Sequence, residues 1–122
     1  MSGLPGVYLW LDDIRPAPEG WLWVKTVDEA IEVIVAQDVM FASLDHDLGA
    51  CDDCLEGLTP DEWLVKHDYR SMPNCDHFGT GYSFVSWMEQ YDRWPTMKPY
   101  VHSANPVGAA RMRQVIDAKF KG

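Results

Sequence analysis

A chain of 122 residues, 47% of them hydrophobic and six of them tryptophan, can bury one modest core, so a single domain spanning 1–122 is expected. Its formal net charge of −9 excludes a general electrostatic affinity for nucleic acid or for an anionic membrane surface, and suits a metal-binding surface better. With no apolar run near the roughly 18 residues of a spanning helix, and a start, Met1-Ser2-Gly3-Leu4-Pro5, unlike a signal peptide, no membrane contact and a cytoplasmic location are expected.

The first element is a strand over about Val7 to Leu11, followed directly by Asp12 and Asp13. Ile14 to Gly20 carries two prolines and a glycine and reads as a loop too short for a helical crossover. Trp21 to Lys25 is strand-like, and Thr26 with Glu29 makes a capping box that opens a helix to about Ala36. Val27, Ala30, Ile31, Ile34 and Val35 recur at helical spacing and direct one face of that helix to the sheet. The apolar run Phe41-Ala42-Ser43-Leu44 is a buried strand ending in Asp45-His46-Asp47-Leu48-Gly49. A long irregular stretch runs from Ala50 to about Phe78, with one short helix after Thr59-Pro60-Asp61-Glu62. Gly79-Thr80-Gly81 leads into a helix from Tyr82 through Met88 that Trp94-Pro95 terminates. A short strand, Pro99 to Ser103, turns through Asn105-Pro106-Val107-Gly108 into a last helix from Ala109 to about Phe120. The fold class is therefore α/β, with a mostly parallel four-stranded sheet.

Two strands that end in Asp12-Asp13 and in Asp45-His46-Asp47 imply one acidic pocket at the carboxyl edge of the sheet, where open α/β folds place ligands. His102 and Ser103 arrive from a neighbouring strand end. Crowded carboxylates repel one another unless a hard cation neutralises them, and Mg²⁺ typically takes one or two carboxylates plus waters and substrate phosphates. The pattern points to a metal-assisted phosphate site. Aspartates also turn chains after strands, and a lone His102 also reads as a satisfied core histidine.

These residues bring a resemblance into view. Asp12-Asp13, Asp45 and Ser103-Ala104 resemble the acidic pocket and hydroxyl of response-regulator receiver domains. The blocks Leu9-Trp10-Leu11-Asp12-Asp13-Ile14-Arg15, Ser43 to Gly49, Gly79-Thr80-Gly81 before a Trp-containing helix, and His102-Ser103-Ala104-Asn105-Pro106 are similar to the cyclic-phosphate-processing receiver-like family. The resemblance covers most of the chain. It implies a small, truncated, receiver-derived (flavodoxin-like) fold and processing of cyclic or nucleotide-linked phosphates, often in phage or bacterial-conflict settings. A signalling receiver needs a fifth strand ending in Lys-Pro and a helix between its first two strands. This chain has neither and adds histidines beside the pocket, which weakens an Asp45 phosphoryl switch and favours proton transfer.

Cys51-Asp52-Asp53-Cys54 and Cys75-Asp76-His77 form a second constellation. Three cysteines do not suit a disulfide framework, whereas two close pairs about twenty residues apart can present four donors to one tetrahedral Zn²⁺. Three unligated thiols with a solvated His77 are the plainer alternative. A closed Cys₃His shell would be structural and would clip the insertion 50–78, leaving His67, Asp52 and Asp76 as surface groups. The expected enzyme is a metal-assisted phosphohydrolase or phosphodiesterase. Asp12, Asp13 and Asp45 hold Mg²⁺ or Mn²⁺ beside Asp47, His46 or His102 is the general acid or base, and Arg15, Ser103 and Asn105 bind phosphate. A non-catalytic degenerate receiver, acting as a binding or signalling module, is the alternative from a different class.

Overall fold

Alternating apolar residues set the sheet. In the computed structural model, which describes residues 6–69, 75 and 77–120, β1 (Val7–Leu11) lies between β2 (Leu22–Val24) and β3 (Val39–Leu44), and β4 (Tyr100–Val101) pairs with β3. The strand order is β2-β1-β3-β4, and every pairing among these strands is parallel. Leu9, Leu11, Val24, Ala42, Leu44 and Val101 point to one side and are buried against three helices. These are α1 (Val27–Ala36), α3 (Gly81–Tyr91) and α4 (Pro106–Lys119), which contribute Ala30 and Ile34, Phe84, Val85 and Met88, and Met112 and Ile116. Each large apolar side chain so buried contributes roughly 1.5–3 kcal/mol relative to exposure. The short α2 (Pro60–Lys66) belongs to the insertion and lies at the carboxyl edge of the sheet.

Helix starts follow the local chemistry. The Thr26 hydroxyl accepts from the Glu29 N–H at 3.2 Å while Glu29 returns a carboxylate oxygen to the Thr26 and Lys25 N–H groups. Thr59 and Glu62 repeat the device on α2, and Thr80 and Ser83 on α3. These reciprocal bonds satisfy N–H groups that a helix end leaves without partners.

Several boundaries differ from the sequence expectation. α4 begins at Pro106 and not at Ala109, because Asn105 caps it through the Gly108 N–H and proline is well placed at a first helical position. α3 ends at Tyr91, ahead of Trp94-Pro95, where Asp92 adopts a left-handed φ of 52°. The strand expected over Pro99 to Ser103 narrows to two residues, and β3 starts earlier, at Val39. Val35 is 52% exposed, since it falls at the margin of the apolar stripe of α1. The expected insertion 50–78 is described in part: residues 70–74, and Asp76, read above as a surface group, lie outside the described residues.

The start of α3 backs directly onto the chain leaving β3. The Gly81 N–H donates to the His46 carbonyl at 2.8 Å, Asp47 and Thr80 form an isolated antiparallel bridge, and a Cβ on Gly81 would overlap the Asp45 carbonyl oxygen. Gly81→Ala is therefore expected to cost about 1–3 kcal/mol, the usual range for overpacking, as a lower urea midpoint at unchanged m. An unchanged midpoint would show that the two segments separate freely.

Candidate active site

Adjacent parallel strands bring their carboxyl ends side by side, so Asp12 after β1 and Asp45 after β3 become neighbours. Asp12 is 1% exposed, and its Oδ1 accepts from the N–H groups of Ile14 at 2.8 Å and Arg15 at 2.9 Å. Asp45 accepts from the His46 N–H at 2.8 Å and from the Ser103 hydroxyl. Asp13 is half-buried with its Oδ2 against Gly49, whose φ of +76° is reached without strain only by glycine. One oxygen from each of Asp12, Asp13 and Asp45 lies within 4.8 Å of the other two, and the group can hold a metal ion.

Crowding has an electrostatic cost. Burial, opposed by a backbone hydrogen bond and reinforced by the charges of Asp12, Asp45 and Asp47, pushes the Asp13 carboxyl up to about 6. Asp45 is raised as well, by burial and then by Asp12, against the opposing pull of the His46 N–H, the Ser103 hydroxyl and His102. A cation at this point would relieve the repulsion that protonation otherwise relieves.

The carboxylates open into a cavity of about 420 Å³. Asp12, Asp13, Asp45, Asp47 and Arg15 line it, facing an apolar side made by Ile14, Ala50, Pro60, Leu64 and Ala104, with Asp61 between. Neither histidine forms part of that lining. His102 packs behind Asp12: its Nε2 is 3.0 Å from Asp12 Oδ2, its Nδ1 is 2.7 Å from the Ser43 hydroxyl, and its ring stacks on Trp10 at 4.1 Å and 8°. Nε2 donates to the Asp12 carboxylate, and Nδ1 shares a hydrogen with the Ser43 hydroxyl. Arg15 Nη1 donates to the His102 carbonyl at 2.8 Å, which ties the β1 loop to the end of β4. His46 lies 2.9 Å from Asp47 through Nδ1 and packs on Gly108, where a Cβ would strike the ring. Asn105 caps α4 with its oxygen and turns its amide nitrogen to Asp47 at 3.4 Å, and Ser103 accepts from the Asn105 N–H while donating to Asp45.

Sequence reading missed Ser43 and Trp10 as the groups that fix His102. Strand alternation held the signal, since the register sets Trp10 beside Ser43 and Ser43 beside Tyr100, two residues before His102. The apolar side from Ile14, Pro60 and Leu64 left no such signal, because it joins segments whose meeting depends on the tertiary fold.

A second cluster lies in the insertion. Cys51 Sγ is 3.2 Å and Cys54 Sγ 3.6 Å from His77 Nδ1, and Cys75 Sγ accepts from the N–H groups of Cys51 and Phe78, each at 3.4 Å. The four donor atoms lie within 4.8 Å of one another. Zn–S bonds of about 2.3 Å in a tetrahedron place sulfurs roughly 3.8 Å apart, so these residues can hold a metal such as zinc. Burial would raise the Cys75 thiol, but the N–H groups of Cys51 and Phe78 and the contacts with His77 and Cys51 outweigh it and bring it down to about 7. The hydrogen bond to Cys51 pushes Cys54 up to about 11.

A family model described as the cyclic-phosphate processing receiver domain matches residues 7–118. The chain belongs to this family. The matched span runs from the first residue of β1 to the last turn of α4, so both side-chain clusters fall within the receiver domain. No curated protein and no solved structure matches the chain.

The raised carboxyls predict a pH effect on stability. Asp13 titrates near 6 in the folded protein against an ordinary 3.8, so its ionisation opposes folding above about pH 6, and the penalty disappears as pH falls below the ordinary value. In chelator-treated receiver domain the melting temperature should gain from Asp13 protonation between pH 7.5 and 5, and Asp13→Asn should flatten that part of the profile. Superimposable pH profiles would show that Asp13 carries no such penalty.

Proposed function

We propose that the acidic pocket hydrolyses a phosphodiester bond in a cyclic or nucleotide-linked phosphate. The observation that carries this reading is the convergence of Asp12, Asp13 and Asp45, one oxygen each within 4.8 Å, at the mouth of a pocket in a member of the cyclic-phosphate processing receiver family. Three carboxylates form an all-oxygen donor set of the kind hard divalent cations take. When bound there, Mg²⁺ or Mn²⁺ would polarise the phosphate and acidify the attacking water.

In this reading the chain's own residues orient and move protons. Arg15 offers its guanidinium to a phosphate oxygen at the pocket wall. The Asn105 amide nitrogen, beside Asp47, offers a hydrogen to the remaining oxygens, and Ser103, whose hydroxyl hydrogen is given to Asp45, holds that carboxylate in place. Asp47 faces the pocket with His46 at its back, an arrangement suited to taking a proton from water and passing it along the pair. With both ring nitrogens engaged, His102 serves by holding Asp12 in place. Residues 1–122 act as one domain in this proposal, with 50–78 as an insertion clipped by structural zinc at Cys51, Cys54, Cys75 and His77. The described helices include none long and apolar enough to cross a membrane. A cytoplasmic nucleotide or cyclic phosphate, in a phage or bacterial-conflict setting, belongs to the same reading.

A screen over cyclic mono-, di- and trinucleotides with Mg²⁺ or Mn²⁺ should show turnover. Asp45→Asn, which removes charge at constant volume, should abolish that turnover and lower divalent-cation affinity by calorimetry without unfolding the domain. His46→Ala should lose typically 10²–10⁴-fold in rate, the range for a general acid or base. Ligand binding without turnover by any cyclic nucleotide would instead favour a non-catalytic binding module.

The zinc reading has its own test. Binding energies of about 10–16 kcal/mol in small zinc peptides are enough to offset much of the ordering cost of a long loop. Purified protein should carry about one zinc per chain, and Cys54→Ser should lose it and gain protease sensitivity between Gly49 and Gly79. Zinc-free reduced protein with an equally resistant insertion would remove the site.

A further inference from the structure

The cavity over the carboxylates has two unlike sides. Asp12, Asp13, Asp45 and Arg15 belong to the polar one at the carboxyl edge of the sheet, and Ile14, Pro60 and Leu64 belong to the apolar one. Core packing does not account for that apolar side. Ile14 is 77% exposed although it directly follows the two aspartates, and no residue of α2 is buried. Pro60 and Leu64 stand four residues apart, so they share one face of α2, and that face closes the cavity. Trp63, the largest apolar group of this helix, stacks on His67 at 4.1 Å and takes no part in the lining.

We propose that the wall of Ile14, Pro60 and Leu64 holds the base of a single nucleotide whose phosphate meets the polar side, and that Asp61 selects a base carrying an amino group. Resting on the phosphate reading of the pocket, this site narrows what the pocket admits. A ligand that filled only the polar side would leave Ile14 and Leu64 in water, whereas a flat heterocycle joined to the phosphate through a sugar covers them and gains from the burial. Apolar side chains hold nucleobases in this way. At about 420 Å³ the cavity stands near the lower end of the roughly 300–1,000 Å³ usual for small-molecule sites, which suits one base with its ribose phosphate and not a cyclic di- or trinucleotide taken whole.

Asp61 follows Pro60 on α2 and lines the same cavity. Its neighbour Glu62 is engaged by the capping box, where a carboxylate oxygen accepts from the Thr59 N–H at 2.9 Å. Among the described residues no hydrogen bond or ion pair engages Asp61, so its oxygens are available to a ligand. A wholly apolar tail on the phosphate would bring them no partner. An ionised carboxylate only accepts hydrogen bonds. Adenine, cytosine and guanine offer amino hydrogens to such an acceptor, whereas uracil offers one ring N–H between two carbonyl oxygens. Cytosine and uracil are equal in size and differ at that edge alone, so the pair separates the choice made by Asp61 from the burial supplied by the wall.

Calorimetry on the full chain in Mg²⁺, with nucleoside 5′-monophosphates as probes and ribose 5-phosphate as the base-free control, tests the proposal. All are monoesters, so binding is read without phosphodiester turnover. AMP should bind roughly tenfold or more tightly than ribose 5-phosphate, and Ile14→Ala or Leu64→Ala should remove most of that margin while leaving ribose 5-phosphate affinity and the melting temperature unchanged. CMP should bind roughly fivefold or more tightly than UMP, and Asp61→Asn, which places a donor beside the acceptor, should close that gap. AMP no tighter than ribose 5-phosphate, or a Leu64→Ala loss shared equally by ribose 5-phosphate, would overturn the base wall. Equal binding of CMP and UMP would overturn the selection by Asp61. Base-dependent binding beside a cyclic-nucleotide screen without turnover would uphold this site and count against hydrolysis alone.

Discussion

The pairing of β1 with β3 is the constraint on which the rest of the site depends. Two parallel strands in register end at the same height, and an aspartate follows each, so the fold places two negative charges together in a buried position. The surrounding chain answers that repulsion with directed donors: the Ile14, Arg15 and His46 N–H groups, the Ser103 hydroxyl and the His102 imidazole. These bonds position the carboxylates without discharging them, as the raised Asp13 and Asp45 show. Three carboxylates kept in fixed geometry at such close range can hold a metal ion.

The same pairing explains the glycines at two close approaches. Gly81 lets the start of α3 rest on the Asp45 carbonyl, and Gly108 lets the start of α4 rest on the His46 ring. Both helices are thereby anchored to the loop that carries Asp45 and Asp47, which links core packing by Phe84, Met88 and Met112 to the position of the acidic groups. Gly49, against Asp13, sits two residues before Cys51. The chain that leaves the acidic pocket thus reaches the first cysteine of the Cys₃His cluster within two residues.

What the chain lacks is equally consequential. A loop in place of a helix between β1 and β2 leaves tryptophan and tyrosine on a parallel sheet with little above them. It also frees the sheet side of His102 to stack on Trp10, a contact that an overlying helix would contest. One omission therefore shapes both the support behind Asp12 and the exposed aromatic surface.

The sequence by itself determined the strands, the capped helices, the two aspartate-bearing strand ends and the close Cys and His pairs. Each of these is encoded within a few neighbouring residues, through apolar period, capping chemistry or ligand spacing. Thr26 with Glu29 and Thr59 with Glu62 form capping boxes where the residue types require them. Only the tertiary structure decided that His102 turns to Asp12 and Ser43 and away from the cavity, that Asn105 caps α4 with its oxygen while its amide nitrogen faces Asp47, and that Leu64 and Pro60 of the insertion face the carboxylates. The physical reason is range. A side chain's partner across strands 59 or 90 residues apart is chosen by register and packing, which local propensity does not encode.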